Sequence, residues 1–185
     1  DNYALLLRLS ASSAGNDHRL GAHEAPPAII SIYLGSYIED ILFSLYQDHP
    51  SIRKDASTVD FTPLTNLAYI PHDNADRNRT SPLAFTGNKF EFRMLGSSMS
   101  ASFSNTVLNA IMAESLNGIA KQLEGIKYLQ DVREKALNIC RQMIHDHKRI
   151  LFSGDGYSEE WVKEAERRGL PNVTSYIEAT QVLKD

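Results

Sequence analysis

The residues with the most suggestive chemistry in this 185-residue sequence alternate between charge and aromatic ring, KFEFR at positions 89–93. A β-strand repeats every two residues, so Lys89, Glu91 and Arg93 share one face about 7 Å apart, opposite Phe90 and Phe92. A carboxylate between two cations stays ionised and suits a metal ion, and the cations suit an anionic ligand. The alternative is a solvated face whose charges compensate one another, which is the commoner arrangement for such a pentapeptide.

A second group of polar residues lies on the stretch 15–27, which reads GNDHRLGAHEAPP. It places Asp17, His18, Arg19, His23 and Glu24 within eight residues. Two glycines and a double proline indicate that backbone geometry, not burial, sets its shape. A loop this polar that leads into a helix suits ligand binding, and a plain solvated connection is the alternative.

Composition bounds the class of protein. The hydrophobic content of 42% and charged content of 23% are ordinary for a globular domain, and no repeat or composition shift marks a second one. The net charge of −4 indicates neither nucleic acid nor an anionic membrane as a partner. No apolar run approaches ~20 residues, so no membrane span is predicted. Cys140 is the only cysteine, which favours a reducing, cytoplasmic compartment.

Several helices are predicted to support these two stretches. Apolar spacing predicts helices over residues 28–46, 104–124 and 129–149, with Ser104 as an N-cap and Cys140 on a buried face. Shorter helices are predicted to begin at Ser158, with Trp161 as an anchor to the core, and at Ser175. The apolar residues 3–9 fit a buried strand or a short helix, which periodicity does not separate. A strand is predicted over roughly 85–94.

The longer motifs carry a family resemblance. The order of GNDHRLGAHEAPP at 15–27, NRTSP at 78–82, FTGNKFEFR at 85–93 and GDGYSEEW at 154–161 resembles the catalytic domain of type III glutamine synthetase over nearly the whole chain. The resemblance implies an α+β fold with a curved antiparallel sheet and helices packed outside. It also implies that residues 1–185 are part of that catalytic domain. Because residue 1 is Asp and nothing resembles a signal peptide, we expect the chain to begin inside a longer protein.

The resemblance implies a role for each matching residue. Arg19 and Arg93 correspond to arginines that bind the substrate glutamate, and Glu24 to the glutamate of a mobile loop that helps to deprotonate ammonium. Arg79 corresponds to an arginine that contacts phosphate. Glu91 corresponds to a metal ligand. Lys89 stands at the nucleotide, where the family pattern has an arginine.

The implied activity is ATP-dependent synthesis of glutamine from glutamate and ammonium through a γ-glutamyl phosphate, with Mg²⁺ or Mn²⁺. Anionic substrates need the arginines and the lysine, the metal needs carboxylates such as Glu91, and ammonium needs a base such as Glu24. One carboxylate does not hold the metals, so we expect the isolated chain to be inactive. The resemblance also implies that the complete enzyme is a dodecameric homo-oligomer. Two alternatives remain open: a related ligase that uses another amine, and a non-catalytic interaction module.

Overall fold

The computed structural model describes residues 1–22, 25–47 and 81–183. In chain order these residues form α1 (Ala4–Ser10), α2 (Ala14–Asp17), β1 (Ile32–Tyr33), α3 (Ser36–Gln47), β2 (Leu83–Phe85), β3 (Phe90–Phe92), α4 (Ser102–Leu123), α5 (Leu129–His147), α6 (Glu159–Arg167) and α7 (Tyr176–Ala179), with 3-10 turns at Lys148–Ile150 and Thr180–Leu183. The predicted α+β class is confirmed. None of the helices in these ranges is both long and apolar enough to cross a bilayer.

The described strands form a mixed sheet in the order β1-β2-β3. β1 runs parallel to β2, whereas β2 and β3 are antiparallel, with Leu83 opposite Phe92 and Ala84 opposite Glu91. The prediction of an antiparallel sheet is therefore wrong for the β1–β2 pair. The parallel pairing follows from connectivity, because a long segment containing α3 separates these two strands in the chain and lets the second run in the same direction as the first.

The segment predicted as a strand near 85–94 is a hairpin. Its turn lies at Thr86–Lys89, where the Thr86 backbone N–H donates to the Lys89 carbonyl at 2.9 Å. Gly87 has a φ of +92°, which a residue with a side chain rarely adopts. The Thr-Gly-Asn sequence thus reverses the chain and sets β3 against β2.

The predicted helix over 28–46 is correct only in its second half, since α3 begins at Ser36. Residues 28–31 are instead buried, Ile29 bridges to Asn172, and β1 follows directly. A short apolar run with several isoleucines fits a strand covered on both faces as well as it fits one face of a helix. Gly35, with a φ of +80°, separates β1 from α3.

The apolar residues near the N-terminus form α1, which resolves the ambiguity between strand and helix. The helix buries Arg8, whose side chain is 1% exposed. Arg8 Nε donates to the Val173 carbonyl at 2.7 Å, Nη1 donates to Ser12 Oγ at 2.6 Å, and Nη2 lies 3.6 Å from Asp17 Oδ1. Burial lowers the pKa of the Arg8 guanidinium, and Asp17 opposes that shift. Arg8 therefore joins α1, α2 and the C-terminal segment.

The long helix α4 begins at Ser102, so the predicted N-cap at Ser104 is wrong. Ser104 is buried within the first turn, and its hydroxyl donates to the Ser10 carbonyl at 3.0 Å. The Ser10 hydroxyl in turn donates to Ser104 Oγ at 3.0 Å. The hydroxyl that the local sequence predicted to cap α4 therefore bonds to α1, which is distant in the chain.

The C-terminal helices follow the predictions more closely. Ser158 caps α6, with its hydroxyl accepting from the backbone N–H of Trp161 at 3.1 Å. The Trp161 ring is 1% exposed and stacks on Phe152 with 3.6 Å between ring centroids, which confirms the predicted anchor.

Cys140 is exposed, so its predicted burial is wrong. It lies about 100° around α5 from the buried Ile139, outside the narrow stripe that packs.

Candidate active site

The charged residues in and directly beside β3 meet on one face, as the alternation predicts. Lys89 Nζ lies 3.2 Å from Glu91 Oε1, and Arg93 Nη2 lies 3.3 Å from Glu91 Oε2. Arg93 Nε also donates to Oε2 at 3.3 Å. On the opposite face Phe92 packs against the core, whereas Phe90 is 56% exposed and rests against Phe85. The face therefore presents one carboxylate between two cations.

This arrangement sets the ionisation of Glu91. The hydrogen bond from Lys89 is the largest influence and lowers the pKa of the Glu91 carboxyl, while partial burial opposes it and Arg93 lowers it further. Glu91 is thus anionic across the neutral range, which is the state that a hard divalent cation requires. The Arg93 side chain is only 14% exposed, so its charge is screened less than that of Lys89, which is 60% exposed.

The loop after α2 brings Arg19 to the end of β3. Arg19 Nη1 donates to the Met94 carbonyl at 3.0 Å and to Asn16 Oδ1 at 3.2 Å. Nη2 lies 3.5 Å from the Arg93 carbonyl. The two arginines predicted to bind the same ligand are therefore neighbours, although they are separated by more than seventy positions in the chain.

The remaining predicted site residues lie outside the described ranges. These are Glu24, on the loop that follows Arg19, and Arg79, in the motif before β2. Gly21 has a φ of +78°, and its N–H donates to the Pro26 carbonyl at 2.8 Å. This hydrogen bond brings the described residues on the two sides of positions 23–24 together.

Glu91 fits one ligand position of a divalent cation, because it is ionised and 40% exposed. Among residues 1–22, 25–47 and 81–183, no three His, Cys, Asp or Glu side chains gather as a metal site. A hard cation of this class takes several oxygen ligands, so Glu91 would be one of the several that it needs.

Comparison with known proteins finds glutamine synthetases. Residues 135–185 match the family model described as glutamine synthetase C-terminal domain. The chain is 46% identical over 97% of its length to a protein named type-3 glutamine synthetase from Dictyostelium discoideum. It is also 42% identical, over 94% of its length, to proteins named glutamine synthetase from Bacteroides fragilis (strain YCH46) and from Butyrivibrio fibrisolvens.

The chain is similar to glutamine synthetases over nearly its whole length. It spans about a quarter of the length of these relatives, since the matched region is 24% of each. The resemblance read from the motifs is confirmed at the level of the family. The matched glutamine synthetase C-terminal domain begins within α5 and includes α6 and α7, whereas Arg19, Lys89, Glu91 and Arg93 all lie before it.

Sequence reasoning missed one residue of this candidate site. Asn16 is 2% exposed and contacts both Arg19 and the end of β3. It stands inside the GNDHR motif, but its type is common in loops and turns, and nothing in its local pattern separates a buried asparagine from a solvated one. Its burial depends on strand residues almost eighty positions away.

Proposed function

We propose that this chain is part of the catalytic domain of an ATP-dependent glutamate–ammonia ligase. The observation that carries the proposal is the 46% identity, over 97% of the chain, to a protein named type-3 glutamine synthetase. The geometry supports it independently, because Arg19 and the Glu91–Arg93 pair meet at one end of β3. A small acid with two carboxylates, a nucleotide and a metal require this combination of charges.

Arg19 and Arg93 are proposed to bind the glutamate substrate. Both hydrogens of Arg19 Nη1 are already donated, to Asn16 and to the Met94 carbonyl. The Nε–Nη2 edge carries the other three N–H groups, and its only contact among the described residues is the long one to the Arg93 carbonyl. That edge has the fork geometry that binds a carboxylate through two parallel hydrogen bonds.

Glu91 is proposed as one ligand of Mg²⁺ or Mn²⁺, with the other ligands supplied by parts of the enzyme outside this chain. When bound, such a cation neutralises charge on the ATP phosphates during phosphoryl transfer. Lys89, next to Glu91 and 60% exposed, is proposed to contact the nucleotide as a single point charge. The strand thereby holds a metal ligand between a nucleotide-binding cation and a glutamate-binding one.

Two steps complete the reaction. An oxygen of the glutamate γ-carboxylate attacks the γ-phosphorus of ATP, the bond to the β-phosphate oxygen breaks, and ADP leaves. Ammonium then loses a proton to Glu24, and ammonia attacks the γ-carbonyl carbon. The bond from that carbon to the phosphate oxygen breaks, and inorganic phosphate leaves with the second proton that the nitrogen loses, which gives glutamine. Arg79 is proposed to stabilise the phosphate charge that develops in the first step and leaves in the second.

The complete enzyme is proposed to be a homo-oligomer, dodecameric as the resemblance implies, in a reducing compartment such as the cytoplasm. Phe103, Met112 and Leu116 of α4 are each about half exposed, at 49%, 56% and 57%. Large apolar side chains at this exposure support burial of the helix against further polypeptide in the larger protein. The single cysteine, which is unpaired, supports the compartment.

The test measures products with the complete enzyme and with residues 1–185 alone. Glutamate, ammonium, ATP and Mg²⁺ or Mn²⁺ should give glutamine, ADP and phosphate in equal amounts with the complete enzyme, and no product with the isolated chain. A strong preference for an organic amine over ammonium would replace the proposal with the related ligase. A folded complete protein without turnover would indicate an interaction module.

Light scattering tests the assembly. The complete enzyme should form a discrete twelve-subunit particle, because its subunit boundaries are intact. Residues 1–185 alone should be monomeric or aggregate without a defined size, because they lack one side of those boundaries. A discrete twelve-subunit particle formed by the isolated chain would contradict both the proposed division of the enzyme and its mode of assembly.

A further inference from the structure

We propose that Asn16 is a positioning residue, which holds the Arg19 guanidinium in the orientation that binds glutamate and fastens the Arg19 loop to the end of β3. This inference rests on the proposed function and extends it to a residue that does not itself touch the substrate. It is carried by a buried set of hydrogen bonds that joins the two ligand-binding elements.

The Asn16 amide has one orientation that satisfies all its groups. Nδ2 donates to the Ala11 carbonyl at 2.7 Å and to the Met94 carbonyl at 2.9 Å. Oδ1 accepts from Arg19 Nη1 at 3.2 Å. The opposite orientation would set an oxygen against two carbonyls and an NH₂ group against a guanidinium, so the neighbours select this one. Because the side chain is 2% exposed, water does not replace a lost partner.

These hydrogen bonds fix the plane of the Arg19 guanidinium. Nη1 is held between Asn16 Oδ1 and the Met94 carbonyl, and Asn16 itself bonds that same carbonyl. The three groups form a closed triangle of hydrogen bonds at the end of β3. With Nη1 held in this way, the Nε–Nη2 edge faces away from the triangle. Because this edge is already ordered, binding the substrate does not have to order it.

The neighbouring glycines offer a way to disturb Asn16 without changing its atoms. A Cβ added at Gly96 would lie 3.1 Å from Asn16 Oδ1 and would press on the amide. A Cβ added at Gly15 would meet nothing within 4 Å. Gly96→Ala and Gly15→Ala are therefore a matched pair in which only the first moves Asn16.

Asn16→Ala and Asn16→Asp separate positioning from stability. Alanine removes both the donors and the acceptor, whereas aspartate keeps the acceptor toward Arg19 but turns an oxygen toward the Ala11 and Met94 carbonyls. We expect Asn16→Ala to raise the glutamate KM about tenfold and Asn16→Asp to raise it less than about threefold, as one hydrogen bond to a charged group is lost or kept. Asn16→Asp should nevertheless have the lower Tm, because its carboxylate faces two carbonyl oxygens.

The measurements are the KM for glutamate, the KM for ATP, kcat and Tm, made with the complete enzyme. Gly96→Ala should raise the glutamate KM, with the ATP KM unchanged, and Gly15→Ala should change neither. Ser104→Ala, which removes a buried hydroxyl between α1 and α4, should lower Tm without altering the glutamate KM.

Two results would overturn the inference. In the first, the glutamate KM follows Tm across all the variants, including Ser104→Ala, which would make Asn16 a structural residue only. In the second, the glutamate KM stays at the wild-type value in both Asn16→Ala and Gly96→Ala, although the wild-type enzyme makes glutamine. A wild-type enzyme that makes no glutamine would instead overturn the proposed function, and this inference with it.

Discussion

Replacing Arg93 by alanine in the complete enzyme tests whether β3 and the residue after it have separate roles in binding glutamate and metal. Arg93 is proposed to bind glutamate, yet its side chain also contacts Glu91, the proposed metal ligand, through Nε and Nη2 at 3.3 Å. The substitution therefore removes a substrate contact and a neighbour of the metal ligand together. It should weaken the binding of glutamate without weakening that of the metal, which makes the two roles separable.

The magnitudes follow from exposure and charge. A hydrogen bond between charged groups contributes ~1.5–3 kcal/mol, and the 14% exposure of Arg93 limits screening by solvent. Arg93→Ala should thus raise the glutamate KM roughly ten- to a hundredfold. Lys89 remains 3.2 Å from Glu91, so the carboxylate stays ionised without Arg93. Metal half-saturation should therefore stay the same or improve, since one competing cation has gone.

The assay is steady-state glutamine formation, with glutamate and Mg²⁺ or Mn²⁺ varied in turn. Arg93→Lys should recover part of the glutamate affinity, because an ammonium keeps the charge but not the planar fork. Glu91→Gln is the crossed control: it should raise the metal concentration at half-saturation. Unchanged glutamate saturation in Arg93→Ala, together with unchanged metal dependence in Glu91→Gln, would show that the strand is structural.

Three further predictions concern stability. Arg8→Met should lower the free energy of unfolding by about 3 kcal/mol, because it leaves Asp17 without its buried cation; urea denaturation measures this, and adding Asp17→Asn should restore part of the loss. Hydrogen bonds from Arg167 and Arg168 lower the pKa of Glu164 to about 2. These ion pairs therefore stabilise the folded state fully above pH 4.5, and that stabilisation is lost as pH falls toward 2. Glu164→Gln should accordingly lower Tm at pH 6 and converge with the wild type near pH 2. Trp161→Phe should lower the free energy of unfolding by less than the ~3–5 kcal/mol expected for Trp161→Ala, since the smaller ring can still stack on Phe152 and the buried indole N–H has no hydrogen-bond partner among the described residues.

Local patterns predicted several elements well. The period of two in KFEFR placed Lys89, Glu91 and Arg93 on one face, and their contacts confirm it. The helical spacing after residue 100 predicted α4 and α5 to within two residues at each end. Ser158 was recognised as a cap because its partner is only three positions away. Interactions within one or two turns of the chain are encoded in the order of nearby residues.

Predictions failed where a distant partner changed the outcome. Residues 28–31 are not helical: Ile29 bridges to Asn172, and the side chains of Ile29 and Ile30 pack in clusters with residues from distant parts of the chain. Ser104 bonds to Ser10 instead of capping α4. Hydrophobic spacing reports that a segment is buried, but a short buried run fits a strand and a helix equally well until its neighbours are known.

The sequence by itself determined, through long motifs, the resemblance of this protein to glutamine synthetases, and it determined the chemical types available to its site. Only the tertiary structure showed that the Arg19 guanidinium meets the end of β3 and that Asn16 joins the two. The physical reason is the length of chain between the partners. Hydrogen bonds that span 75 and 78 positions depend on how α2 and β3 pack, and no periodicity within either segment encodes that packing.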